Sequence, residues 1–282
     1  MMAASPDSLT YGQYLCLDAV LEAQHPVAEP SCHDEMLFII HHQVAELQIK
    51  LLIGEIEEAG RVLRTRKTVE CIPALERVFQ VQAAMNCQWR VLETLSVDSF
   101  GQFRKSLAGT SGFQSVQYRV LEFLLGYRRQ SVFTQFAGHP AAIERLVEAS
   151  RVPSLYDDFI AHVRRRGHAL PDRLDVHGQQ DAGSSAAPEL VEALAGAYLR
   201  GAEDIRTLFD CTAGIAEVAR VWREQHLAAA TRLIGLSPGT GGTSGASYLR
   251  DAARVRFFPE LLDSLARGRG RRSRWQGDGI KD

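Results

Sequence analysis

The sequence predicts an all-α protein organised around one central, strongly apolar helix. Apolar residues recur at three-and-four spacing through most of the 282 residues, the signature of helices with one buried face. No stretch alternates apolar and polar residues over a useful strand length. The segment CHDEMLFIIHHQVAELQIKLL, residues 32–52, is apolar over so wide an arc that it reads as a helix inside a bundle rather than at its edge.

Taken in order, the first helix is expected near residues 8–23 and the central one over 32–52. On the central helix, Leu37, Ile40, Val44, Leu47 and Leu51 form one predicted buried stripe, with Phe38, His42, Ala45, Ile49 and Ile53 beside it. Periodicity puts His41 on the first stripe and His42 on the second, and does not say which meets a ligand. Further helices are expected near 68–96, 98–107, 115–126, 139–150, 153–166, 187–207 and 208–235. Asp98 is a candidate N-cap for the helix carrying Phe100, Phe103 and Arg104. Residues 175–189 read as a polar surface connection, 237–247 as a glycine-rich loop, and 266–282 as a basic, flexible tail. The chain is thus expected to form one helical domain over residues 1–265.

Composition removes several classes of function. A net charge of −2 argues against a general nucleic-acid binder. No run of about 18 apolar residues predicts a membrane span, and the N-terminus lacks the basic and apolar regions of a secretory signal. The five cysteines, Cys16, Cys32, Cys71, Cys87 and Cys211, form no CxxC pair, which suits free thiols in a reducing cytoplasm better than a zinc site.

The residues that could carry chemistry are few. His226 shares a stripe with Val218, Trp222, Ala229 and Leu233. Taken alone it is more often a hydrogen-bonded core histidine than a ligand, although haem iron is commonly held by one helical histidine. Arg104 lies one turn after Phe100 on the same face, and its planar fork suits a carboxylate. With 28 Arg against 4 Lys, however, one arginine is weak evidence. The run GTGGTSG (239–245) has neither the lysine nor the strand-to-helix setting of a phosphate loop, and reads better as a lid around Thr240 and Thr243.

Ten pieces of sequence, in consistent order and spacing, resemble the haem-dependent tryptophan 2,3-dioxygenases. They are LTYGQYLCLD (9–18), HDEMLFIIHHQ (33–43), the E-L-x-x-K-L segment at Glu46–Leu51, QWRVLETL (88–95), FRKSLAGTSGFQSVQYR (103–119), EFLLG (122–126), PSLYDDF (153–159), WREQH (222–226), GTGGTSG (239–245) and FFPELLD (257–263). The resemblance implies an all-α homotetramer that binds haem b. It matches His226 to the proximal iron ligand, His42 to the distal residue near the indole N–H, and Phe38 to a wall of the pocket. Arg104 matches the residue that binds the substrate carboxylate, Thr240 the loop contact to the amino-acid end, and Trp89 a residue at the haem edge. Tyr11, Tyr14 and Leu15 would reach the pocket of a neighbouring subunit. Two positions depart from the pattern. Phe100 stands where the family usually has a tyrosine that helps bind the carboxylate, and His41 stands where glutamine is commoner.

The expected activity is oxidation of the indole ring of L-tryptophan at C2 and C3 with O2, giving N-formylkynurenine. A close variant would insert one oxygen into a β- or ring-substituted tryptophan in secondary metabolism and give an oxindole. The alternative from another class is a haem sensor without turnover, against which Arg104 and Thr240 speak, since haem binding alone needs neither.

Overall fold

A computed structural model describes residues 9–65, 67–107, 109–110, 114–171, 186–235 and 246–277. Thr240 and its glycine-rich neighbours therefore lie outside the described residues, as do residues 175–185 of the expected surface connection. Among the described residues the regular structure is entirely helical: α1 Tyr11–Leu15, α2 Leu17–Leu21, α3 His33–Thr65, α4 Thr68–Leu92, α5 Val97–Arg104, α6 Val116–Leu124, α7 Ser131–Gln135, α8 Pro140–Arg151, α9 Leu155–Arg165, α10 Pro188–Arg200, α11 Glu203–Ile234, α12 Ala246–Ala253 and α13 Pro259–Gly277.

The framework is a pair of long contacts, α3 along α4 and α4 along α11. Helices α6 and α9 pack on α3, α8 packs on α6, and α10 on α13. The main core fills this framework with Leu52, Ile56, Leu63, Leu75, Phe123, Phe159, Leu194 and Phe209. A second, smaller cluster of Ala28, Trp89, Leu92, Leu95, Phe100, Phe103 and Ala229 closes the end where α3, α4, α5 and α11 converge, with Phe38 and Trp222 packed on it.

Several expectations are corrected. The first helix is two short ones, because Cys16 adopts a left-handed conformation between them, at φ 51°. That conformation costs a residue with a side chain about 1–2 kcal/mol and is not readable from spacing. The central helix runs thirteen residues past Leu52, to Thr65. Its main-chain donors at the start are complemented by Asp34 and Glu35, and Glu35 also accepts from the Val27 and Ala28 amides. The N-cap of α5 is Ser96, whose hydroxyl accepts from the Ser99 amide, with Asp98 in the first turn instead. The expected helices 187–207 and 208–235 divide earlier, at Gly201. A Cβ there would lie 2.6 Å from the Ala197 carbonyl oxygen, and Glu203 and Asp204 then open α11.

The predicted stripe Leu37, Ile40, Val44, Leu47 and Leu51 is not the core face of this chain. Ile40, Leu47 and Leu51 are 44%, 57% and 46% exposed, and Ile49, Leu52, Ile56, Ala59 and Leu63 are buried in their place. Periodicity marks an apolar face without saying what covers it. By length and composition α3 would pass for a membrane span, but its contacts to α4, α6 and α9 and its histidines and carboxylates set it within the bundle.

Helix α13 takes in the first part of the basic segment that begins at residue 266, running to Gly277. The helix passes α10 at Gly268, where an added Cβ would lie 3.2 Å from the Tyr198 ring. The expected surface connection likewise ends early, with Pro188 and Glu189 already in α10.

Candidate functional site

A cavity opens between α3, α4, α6, α11 and α12. His41, His42 and Ala45 line it from α3, Gln88 and Trp89 from α4, and Tyr118 and Arg119 from α6. Trp222, Arg223 and His226 line it from α11, and Leu249 and Ala252 from α12. The long α3–α4 and α4–α11 contacts set these side chains opposite one another, although more than 180 residues separate His42 from His226 in sequence.

The rings form a continuous path. Phe38 and Phe100 have centroids 5.7 Å apart, and Phe38 lies 4.2 Å from His42, one turn along α3. His42 meets His41 edge-on at 5.2 Å, His41 lies 5.4 Å from Trp89, and Trp89 stacks on His226 at 5.3 Å and 21°. Trp222 packs on Trp89, His226 and Tyr118 at 5.6, 5.3 and 4.9 Å.

This apolar setting keeps the histidines uncharged. Burial pushes His226 down to about 3, helped by the charges of His42, Arg119 and His41. His41 falls to about 4, through burial and then the neighbouring His42. His42 is also lowered by burial, against the opposing pull of its hydrogen bond to Phe38 and of the Glu46 carboxylate. His42 Nδ1 lies 2.7 Å from the Phe38 carbonyl oxygen. A carbonyl only accepts, so Nδ1 carries the proton and the neutral ring presents Nε2 as an acceptor.

The predicted residues divide into three groups. His42, Trp89 and His226 meet in one cavity, and Phe38 and Phe100 pack beside it. Arg104 ends α5, half-buried, one turn beyond Phe100, and lies outside the cavity lining. Tyr11, Tyr14 and Leu15 are 75%, 73% and 39% exposed on the surface of their own chain.

The structure adds Tyr118, Arg119, Trp222 and Arg223 to the site. The motifs QYR and WREQH carried them, but nothing in helical spacing distinguished these arginines from the other 26.

The residues present suit a haem. An uncharged, desolvated imidazole on a helix can bind iron without first losing a proton. Aromatic and small apolar side chains line the walls. Two buried arginines with unsatisfied nitrogens, together with the unpartnered Trp89 Nε1, supply donors for an acidic edge.

The tryptophan 2,3-dioxygenase family profile matches residues 2–166 and 198–266. The chain is similar to the tryptophan 2,3-dioxygenase of Serratia proteamaculans, 38% identical over 260 residues, covering 90% of this chain and 91% of that one. It is 41% identical over 255 residues to that of Saccharopolyspora erythraea, covering 90% of each. With that of Xanthomonas campestris pv. campestris it shares 40% identity over 260 residues, covering 90% of this chain and 86% of the relative. Shared sequence at this level and over this length means shared ancestry and fold, so the chain belongs to the tryptophan 2,3-dioxygenase family.

Proposed function

We propose that this chain is a haem-dependent dioxygenase that uses O2 to cleave the C2–C3 bond of the indole ring of L-tryptophan, giving N-formylkynurenine. The observation that carries the reading is the placement of two uncharged histidines, His226 on α11 and His42 on α3, around one aromatic-walled cavity in a chain of this family. Bound haem supplies the oxidative chemistry, and the chain supplies binding, orientation and exclusion of water.

His226 would hold the iron and Trp89 would pack at the haem edge. His42 is suited to accept the indole N–H, because its Nδ1 proton is committed to the Phe38 carbonyl and Nε2 is left as the acceptor. That orients the ring without asking His42 to act as an obligatory base. Phe38 and Phe100 form an apolar wall for the indole, and Arg104 offers a two-pronged donor to the substrate carboxylate. Thr240 would meet the amino-acid end from the glycine-rich segment. Catalysis of this kind works chiefly by positioning. The names of the relatives favour the two-oxygen outcome over the one-oxygen variant.

The test is mass spectrometry of product made by the holoprotein under labelled O2, with tryptophan and β-methyltryptophan in parallel. A tryptophan product heavier by two labelled oxygen atoms is expected. A product heavier by one would make the chain a monooxygenase, and no O2 uptake would make it a haem protein without turnover.

The assembly we propose is a homotetramer in the cytoplasm. The exposed apolar residues Tyr11, Tyr14 and Leu15, and the exposed face of α3 at Ile40, Leu47 and Leu51, are surfaces that a second copy would cover. All five cysteines are free, in keeping with a reducing compartment. Light scattering should give four times the 31.2 kDa chain mass, and a monomer would overturn this assembly.

A further inference from the structure

Arg223 is a buried charge that the scheme above leaves unused. It is 4% exposed and lines the cavity. A guanidinium presents five N–H donors and stays charged in proteins. Here Nη2 donates to the Val255 carbonyl, and the group lies 4.5 Å over the Phe257 ring. Nε and Nη1 are shut off from solvent with no partner at full hydrogen-bond geometry, and the nearest polar group is the Tyr118 hydroxyl, which feels the guanidinium charge but carries none of its own to balance it. Among the described residues no carboxylate forms an ion pair with Arg223. A buried charged donor left in this state is costly, so something that enters the cavity is expected to satisfy it.

Arg119 repeats the pattern in part. It is also 4% exposed, and its Nη1 donates to Glu122 at 2.6 Å while its Nε has no partner. The acidic residue that lines the same cavity, Glu46, is already bonded to Gln117 at 2.7 Å and acts electrostatically on His42. Glu46 is thus already engaged, and the unpaired guanidinium nitrogens of the cavity are those of Arg119 and Arg223.

We infer that Arg223, with Arg119 beside it, anchors a carboxylate of the haem. The assignment rests on the haem reading above. It names a haem propionate rather than the carboxylate of the amino acid because Arg223 and His226 are three residues apart on one face of α11, so the anchor and the iron ligand approach from the same helix. Phe38 and Phe100 continue the ring path on from His42, and Arg104 follows Phe100 by one turn of α5, outside the cavity lining that holds Arg223. The same guanidinium also ties Val255 and Phe257 to α11, next to the cavity-lining residues of α12, so satisfying it would steady that wall as well.

The experiment titrates haem-free protein with haem and with haem dimethyl ester, following the Soret band, and measures tryptophan binding to the loaded protein. Wild type should prefer haem over the ester by about tenfold to a hundredfold, the range expected for hydrogen bonds to a charged group. R223Q should lose most of that preference and R223K should keep part of it, with tryptophan affinity unchanged in both. Circular dichroism on each variant separates misfolding from a lost anchor, and the wild-type comparison requires no variant. Equal affinity of wild type for haem and ester overturns the assignment, as does an undiminished preference in folded R223Q. Weaker tryptophan binding in R223Q with the haem preference intact would overturn it too, assigning the arginine to the substrate. Failure of wild type to bind either porphyrin would instead refute the haem reading on which this one stands.

Discussion

His226 is useful because its surroundings deny it a charge. Burial among Trp89, Trp222 and the other histidines holds it down to about 3, so its ring is neutral at any ordinary working pH. Replacing it by alanine should remove most of the haem, seen as loss of the Soret band; full occupancy in H226A would refute its role as the iron ligand. Arg104 differs in kind, since a carboxylate contact holds both before and during reaction. R104A should chiefly raise KM, by roughly tenfold to a hundredfold, and an unchanged KM would remove Arg104 from the site. Phe100 is 7% exposed and packs edge-on against Phe103 at 5.3 Å. A phenylalanine cannot donate to a carboxylate. Phe100→Tyr should therefore tighten tryptophan binding, measured by spectral titration, and no tightening would mean that another donor already compensates.

Among the elements, α3 carries the most. Its N-terminal half presents Phe38, His41 and His42, and its C-terminal half anchors the bundle. The second half crosses α9 at Gly60, where an added Cβ would lie 2.6 Å from Asp158 Oδ2, the oxygen that pairs with Arg64 at 2.5 Å. Gly60→Ala would force this buried carboxylate off its partner. We expect a loss of about 1–3 kcal/mol, as for other overpacked cores, read as a lower Tm with little change in haem affinity. A variant as stable as wild type would show that the crossing can relax. The exposed apolar face of α3 makes a complementary point. Leu47 and Leu51 obey the same periodicity as Ile49 and Leu52, yet only the latter pair meets this chain's own core.

For the whole molecule the consequence is a dependence of stability on pH. His41 and His226 are held down to about 4 and about 3, and His42, His162 and His168 are also lowered, all with burial as the main cause. Below the ordinary value of 6.5 the unfolded chain takes up protons that the folded chain refuses, so stability falls as pH falls through that range. Asp158 acts in the opposite sense, because burial raises it from 3.8 to about 6 and the folded state protonates first. One carboxyl opposes five histidines. The Tm of the haem-free protein should therefore drop between pH 7.5 and pH 5.5, and a flat or rising Tm would contradict the desolvation of the cluster.

The helical class, most of the helices and, through ten linked motifs, the family and the identities of the residues proposed for the site are legible in residue order alone. These are properties of local spacing and of residue order, which a chain carries whether or not it is folded. Spacing missed α7 and α12, which at five and eight residues are too short for a period to stand out, and α13, whose second half turns to Arg and Gly. It also took the exposed stripe of α3 for core, because periodicity records an apolar face and not its partner. It took the packed bundle to show that His41 joins His42 in the cavity, that the Phe38 carbonyl sets the tautomer of His42, and that Arg119 and Arg223 are buried in the same cavity as His226 with nitrogens left unpaired. Charge state, tautomer and orphaned donors depend on which distant groups exclude water from one another, and that is fixed when α3, α4, α6 and α11 close around the same space.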